Sequence, residues 1–229
     1  MKILAIGAHP DDIEIFMFGI LCHFKNKGDS VNLLIATDGS LGGKGNKENL
    51  KNKRKNEAVL GLKYLGKPLF LEIQDGMLGA KENHYFLIKK SIQNVNPDLI
   101  ITHSSNDYHS DHRNLSKLVQ NIASHYVPIL SCDTMMGINF VPNYYIDITK
   151  YFSDKQKSIL CHKSQNPKRF SNLITLMNSY RAAQCNAEEG MYAEAYKFEN
   201  SFPFSDIRHL LPNPPEIKKF YINKRGGFL

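Results

Sequence analysis

Four short runs of mostly apolar residues constrain this chain most: Ile3 to Gly7, Ser30 to Thr37, Leu69 to Leu71 and Leu99 to Thr102. Each is too short for a helix of useful length, and each stops at a polar or glycine-marked turn, as strands buried on both faces do. Helical patterns separate them, from Ile15 to Leu21, Glu48 to Leu65 and Tyr85 to Asn94. Strands that alternate with helices imply βαβ units, and hence a mostly parallel, doubly wound sheet with helices on both faces. Further strands are expected at Val127 to Cys132 and Tyr144 to Ile148. Helices are expected at Leu115 to Ala123, Thr149 to about Ser164 and Phe170 to Ala187. With 229 residues, and no internal repeat or linker-like stretch, the expectation is a single α/β domain over 1–229.

The turn after the first strand carries the most chemistry. Ala8-His9-Pro10-Asp11-Asp12-Ile13-Glu14 places an imidazole and two adjacent carboxylates where a helix should begin. A dinucleotide binder of this architecture would have GxGxxG there, and it is absent. The Gly-rich segment Asp38 to Gly45 lacks the GxxxxGK[ST] spacing of a nucleotide-binding P-loop and reads as a mobile rim loop. A plain explanation competes for the first turn: Asp11 as N-cap with Glu14 three positions on is a capping box. Taken alone, the stretch supports that explanation about as well as a functional one.

His109-Ser110-Asp111-His112 tips the balance. Parallel strands end on one edge of the sheet, so His9, Asp38 and the His109 cluster should converge on one crevice. A catalytic zinc needs three His or carboxylate ligands and one open position. His9, Asp12 and His112 would supply that set. Side chains of adjacent Asp11 and Asp12 diverge on a tight turn, leaving the second carboxylate to take a proton from a metal-activated water. His109, three residues before His112, would face the substrate side, with Asp111 expected to fix its tautomer and raise its basicity. An imidazolium there would stabilise an oxyanion and protonate a leaving amine.

Several residues have simpler readings. His23, His84, His125, His162 and His209 read as solvated, His103 as structural or supporting, Arg54 with Glu57 as an exposed i,i+3 pair, and Tyr192 as core packing. The net charge of +7 comes from scattered lysines, densest at Lys44 to Lys55 and Lys218 to Arg225. No nucleic-acid motif accompanies it, so it supports at most an anionic small molecule, such as a phosphorylated or nucleotide-linked sugar. No run approaches the ~20 apolar residues of a membrane span. No secretory signal is evident, and Cys22, Cys132, Cys161 and Cys185 form no CxxC pair, so a reduced, cytoplasmic setting is expected. The oligomeric state stays open, a homo-oligomer included.

Together these residues resemble the LmbE/PIG-L family of zinc-dependent de-N-acetylases. Its AHPDD signature followed by Glu matches Ala8 to Glu14, and its HxDH signature matches His109 to His112. The likeness extends to Thr37-Asp38-Gly39, Arg54 with Glu57, Asp75-Gly76, Asp147-Ile148-Thr149 and Gly190 to Glu194. It implies a Rossmann-like fold and hydrolysis of an N-acetyl group from an N-acetylglucosamine-type conjugate. It also implies zinc on His9, Asp12 and His112, with Asp11 as general base and His109 as the electrostatic or acid partner oriented by Asp111. Arg54 and Tyr192 match substrate-facing positions, and Asp38 would support the site from behind. Phe16 and Phe18 depart from the small residues typical of the family, though Gly19 is kept, so reshaped helix packing or a narrower pocket is expected. Iron(II) or cobalt also suit a His2Asp set. A zinc amidase on a non-sugar amide and a non-catalytic metal- or ligand-binding module remain the alternatives.

Overall fold

In a computed structural model that describes residues 1–218, the chain threads β1 (Lys2–Gly7), α1 (Asp12–Phe16), α2 (Phe18–Asn26), β2 (Ser30–Thr37), α3 (Lys47–Gly61), β3 (Leu69–Ile73), α4 (Glu82–Val95) and β4 (Leu99–Thr102). It continues through α5 (Ser110–Ala123), β5 (Ile129–Cys132), β6 (Tyr144–Asp147), α6 (Phe152–Ile159), α7 (Pro167–Gln184) and β7 (Ala193–Phe198). The sheet order is β3-β2-β1-β4-β5-β7-β6, with the first five strands parallel. This is the α/β, Rossmann-like doubly wound architecture expected. The connections leaving β1 and β4 diverge to opposite sides, and a crevice opens between those two neighbouring strands.

Each central strand is buried on both faces. Ile3 and Ala5 face one cluster with Ile13, Ile20 and Leu130, while Leu4 and Ile6 face another with Ile88, Leu115 and Val119. The two-residue period of a strand is present, but both faces are dry, so it leaves no polar alternation in the sequence. Ile3 lies opposite both Val31 and Leu99, which sets the register of the three central strands.

The far edge departs from expectation. β7, Ala193–Phe198, lies outside the strands expected from the sequence and runs antiparallel to both β5 and β6. The helix expected from Thr149 to Ser164 divides into a 3-10 turn at Thr149–Tyr151, α6, and a second turn at Lys163–Gln165. The segment around Asn213 is exposed and runs beside β6, with the Asp147 N–H donating to the Asn213 carbonyl at 3.1 Å. Of the basic stretch Lys218 to Arg225, only Lys218 falls within the described residues. Among those residues no helix is long and apolar enough to cross a membrane, and all four cysteines are free.

The first helix also breaks, between Phe16 and Phe18, where Met17 takes φ −131° and ψ −5°. A buried carboxylate holds the break. Glu194 accepts from the N–H groups of Gly19 (2.8 Å) and Ile20 (2.9 Å) at the start of α2, from Lys155 Nζ (2.7 Å) and from the Tyr196 hydroxyl (2.7 Å). Negative charge suits the exposed N–H groups of a helix start. Position 19 must be glycine here, since a Cβ would stand 2.3 Å from Ile148 Cγ2. Lys155 is wholly buried, so the pair has no water to fall back on. Lys155→Met should leave an uncompensated charge and cost about 3 kcal/mol or more, read as a lower urea midpoint; an unchanged midpoint would show that the neutral donors alone satisfy Glu194.

Candidate active site

His9 follows β1 at the mouth of the β1/β4 crevice, and the loop after β4 brings His103, Asp107, His109, Asp111 and His112 to the same place. His9 Nδ1 lies 3.2 Å from His112 Nε2, and Asp12 Oδ2 lies 3.3 Å from each of them. Donors about 2.0–2.1 Å from a tetrahedral zinc stand about 3.3–3.4 Å apart. The three atoms are therefore spaced as three corners around one ion. His103 Nε2, 3.1 Å from Asp12 Oδ2, and His109 also come near enough to offer alternative triads.

The second nitrogen of each histidine favours the first set. His112 Nδ1 is 2.9 Å from Asp107 Oδ2, and His9 Nε2 is 3.3 Å from both Asp75 Oδ1 and Asp111 Oδ2. Carboxylates on the far nitrogen fix the tautomer and the ring plane, as they do for metal-bound histidines. His103 has only Cys132 Sγ near its other nitrogen, at 4.0 Å, and stacks on His112 with centroids 3.7 Å apart. Burial penalises a charged His112, but Asp12 and Asp107 outweigh it and raise the ring to about 9. Burial pushes His103 down to about 4, which keeps it neutral. Burial also works against a charged Asp75 side chain, yet the His9 bond draws the carboxyl down to about 2.

Asp11 does not cap the helix. It sits at φ +146°, a region L-residues rarely enter, and its side chain makes no bond to the first turn. Glu14 makes none there either and is bonded to His162 at 2.7 Å instead. The capping-box explanation for this stretch therefore fails. Arg54 holds the strained turn, donating to Asp11 Oδ1 (3.1 Å), the Pro10 carbonyl (3.1 Å) and the Gly39 carbonyl (2.9 Å). Burial raises the Asp11 carboxyl, partly offset by Arg54.

His109 is the N-cap of α5, and its Nδ1 accepts the Asp111 N–H at 3.2 Å. A neutral ring then carries its proton on Nε2. The expected orientation by the Asp111 carboxylate is corrected: that carboxylate accepts from the Gly76 (2.8 Å) and Leu78 (3.3 Å) N–H groups and faces His9. Residues two apart on a helix point to nearly opposite sides, so only the Asp111 backbone reaches His109. Burial and the neighbouring His9 lower His109 overall, although the Asp111 charge acts in the raising direction expected of it.

A cavity of about 370 Å³ opens over these groups, lined by His9, Asp11, Asp12, His109 and His112, with Arg54, Asp75, Phe16, Tyr108 and Gln165 among the others. Phe16 enters it, as the expected narrowing requires, while Phe18 is core. Asp38 and Tyr192 do not line it. Asp38 Oδ1 accepts from the Ser40 and Asp75 N–H groups and so braces the loop that carries Asp75. Tyr192 stacks on Phe152 with centroids 3.6 Å apart. Arg54 and Glu57 are buried and unpaired with each other, and His84 and His162 are buried rather than solvated. Asp75, which enters the sequence pattern only through the Asp75-Gly76 likeness, and Asp107, two residues before His109, carry no expected role, yet both brace the histidines.

Loss of one donor of the His9–Asp12–His112 triad should abolish tight binding of one divalent ion per chain, tested by metal analysis of His112→Ala after zinc loading and gel filtration. Asp107→Asn keeps the donor and loses its support, so competition with a chelator should read a roughly 10- to 100-fold weaker affinity. Full metal retention by His112→Ala would remove it from the set.

A family model described as GlcNAc-PI de-N-acetylase, PIG-L, matches residues 4–123, just over half of the chain. The chain is 29% identical to the uncharacterized deacetylase YaiS of Escherichia coli K12, over 71% of this chain and 90% of that one. It is 24% identical to the diacetylchitobiose deacetylase of Thermococcus kodakarensis, over 72% and 70%. Among solved structures, the 4-carboxy-2-hydroxymuconate hydratase GalB of Pseudomonas putida shares the fold at a TM-score of 0.78 and 21% identity, over 90% of this chain and 100% of that one. With the match running from β1 through the whole of α5 and carrying both motifs of the crevice, the chain belongs to the PIG-L family.

Proposed function

We propose that this chain is a zinc-dependent hydrolase that removes an N-acetyl group from an N-acetylglucosamine-type conjugate. The observation that carries it is the donor triad spaced for one ion, with the uncapping Asp11 carboxylate on a strained turn beside it. His9 Nδ1, Asp12 Oδ2 and His112 Nε2 would hold the metal. When bound, it supplies Lewis acidity to a water and to an amide carbonyl. Asp11 takes the proton of the attacking water, and its raised affinity for protons suits that task. Arg54 keeps the carboxylate aimed, and His109 Nε2–H donates to the acetyl oxygen as negative charge develops. The proton passes to the departing nitrogen, giving acetate and a free amine.

Exposed Lys44, Lys163, Lys168 and Arg169 belong to the two segments that carry Leu41, Gly42, Gln165 and Phe170 to the cavity. None of the four is in an ion pair among the described residues, which supports a substrate bearing an anionic group outside the amide. We place the reaction in the cytoplasm, where four free cysteines stay reduced. The hydratase that shares the fold motivates a second reading, addition of water to a carbon–carbon double bond by the same base. Acetate release across N-acetylglucosamine glycosides, lipids and nucleotide sugars, against hydration of an unsaturated carboxylic acid, separates the two.

Asp11→Asn should keep its metal and lose roughly 10²- to 10⁴-fold in turnover, measured as acetate release at matched zinc content. An undiminished rate would remove Asp11 as the base.

A further inference from the structure

Glu57 is buried, and no cation is bonded to it among the described residues. Its two carboxylate oxygens are taken instead by Ser164, from the N–H at 3.0 Å and from the hydroxyl at 2.6 Å. Ser164 belongs to the turn between α6 and α7. That turn is fastened again two residues earlier by His162 on Glu14, and it ends at Asn166, whose φ of +50° swings the chain into α7. Between these fixed points stands Gln165, which lines the cavity.

The polarity of this chain of bonds is determined. A carboxylate only accepts, so the single hydroxyl proton of Ser164 goes to Glu57. Ser164 Oγ can then only accept, and it does so from Gln165 Nε2 at 3.1 Å. The amide therefore cannot flip without placing oxygen against oxygen, and Gln165 Oε1 is turned the other way, toward Gly42. A Cβ at Gly42 would meet that oxygen at 2.9 Å and Arg54 Nη1 at 2.2 Å. The absent side chain keeps open the space between Arg54 and Gln165. Oε1 accepts no hydrogen bond among the described residues.

We infer that Gln165 is a specificity-determining residue whose Oε1 accepts a hydrogen bond from a hydroxyl on the sugar beside the scissile amide, with Ser164 and Glu57 as the residues that position it. This rests on the hydrolase reading above and names what that site selects: a substrate presenting a donor, not an acceptor or a methyl, opposite Gly42. A fixed acceptor left unpaired by the wrong ligand is a penalty as well as a lost contact. Residue 165 lies outside the 4–123 match.

The test compares wild type, Gln165→Ala, Ser164→Ala and Ser164→Thr on an N-acetylglucosamine glycoside and its single-deoxy analogues, with kcat and KM read separately. Gln165→Ala should raise KM roughly threefold to tenfold on the parent sugar, as loss of one hydrogen bond does, and change kcat little. On one deoxy analogue wild type and variant should become equal. Ser164→Ala should show part of the effect, and Ser164→Thr, which keeps the hydroxyl, should restore it. A purely structural role would lower kcat and stability alike and would not single out one hydroxyl. The same wild-type-to-variant KM ratio on every analogue overturns the assignment. If wild type releases no acetate from any of them, the hydrolase reading falls by itself. Titration of the corresponding free amino sugars into the zinc-loaded protein then decides: weaker binding by Gln165→Ala upholds the assignment, and equal or absent binding overturns it.

Discussion

The pairing of β1 with β4 is the constraint on which the site depends. Ile3 opposite Leu99 and Ala5 opposite Ile101 place the ends of the two strands side by side, and their connections leave in opposite directions. Two turns separated by about a hundred residues thus share one small volume. That volume is rich in negative charge: Asp11, Asp12, Asp75, Asp107 and Asp111 all surround His9 and His112. Such a cluster holds positive charge wherever it can. The pull shows in His112, raised to about 9 against the cost of burying it. A divalent ion held between the two rings would supply as much charge as two protons on them, and would meet three donor atoms spaced around one point.

Strain at the first turn has a related origin. Asp11 and Asp12 are neighbours with different duties, so one side chain must face the triad and the other the cavity. A residue at φ +146° accomplishes that divergence, at a cost of order 1–3 kcal/mol. Three hydrogen bonds from the one buried guanidinium of Arg54 hold the turn against it, two of them to carbonyls flanking the crevice. Further along the same helix, the Glu194–Lys155 pair fixes the break after Phe16 and so the angle at which Phe16 enters the cavity. The turn and the break are both local departures from regular backbone, and each is secured by a buried charge from a distant part of the chain.

That explains how much was legible in the sequence. The doubly wound sheet and the meeting of His9, Asp12 and His112 follow from apolar runs, topology and two short motifs. What stayed hidden is what depends on direction. Asp111 reads as a partner of His109 until the helical rotation sends its carboxylate to Gly76 and His9. Arg54 and Glu57 read as an exposed pair because α3 is largely polar, yet each is drawn inward to a different partner. β7 interrupts Ala193, Ala195, Tyr196 and Phe198 with Glu194 and Lys197, so it lacks the continuous apolar run of the other strands. Its buried Glu194 is satisfied by Lys155 from α6 and by Tyr196 of the same strand.

The division of labour across the sheet follows from the same topology. The His and Asp residues clustered at the crevice come from the strand ends before residue 123, within the span that the family model matches. Part of the opposite wall, Met135, Gln165 and Phe170, comes from connections beyond it, built around the antiparallel edge and α7. A deacetylase and a hydratase share this fold, as one scaffold hosts unrelated chemistries. Their substrates differ in shape and in hydrogen-bonding polarity, so the walls that receive them must differ. Choice of substrate then rests on loops that a rigid sheet edge merely carries. Gln165 and Phe170 lie outside the His9, Asp12 and His112 cluster, so a change at either reshapes the cavity wall and not the cluster beneath it.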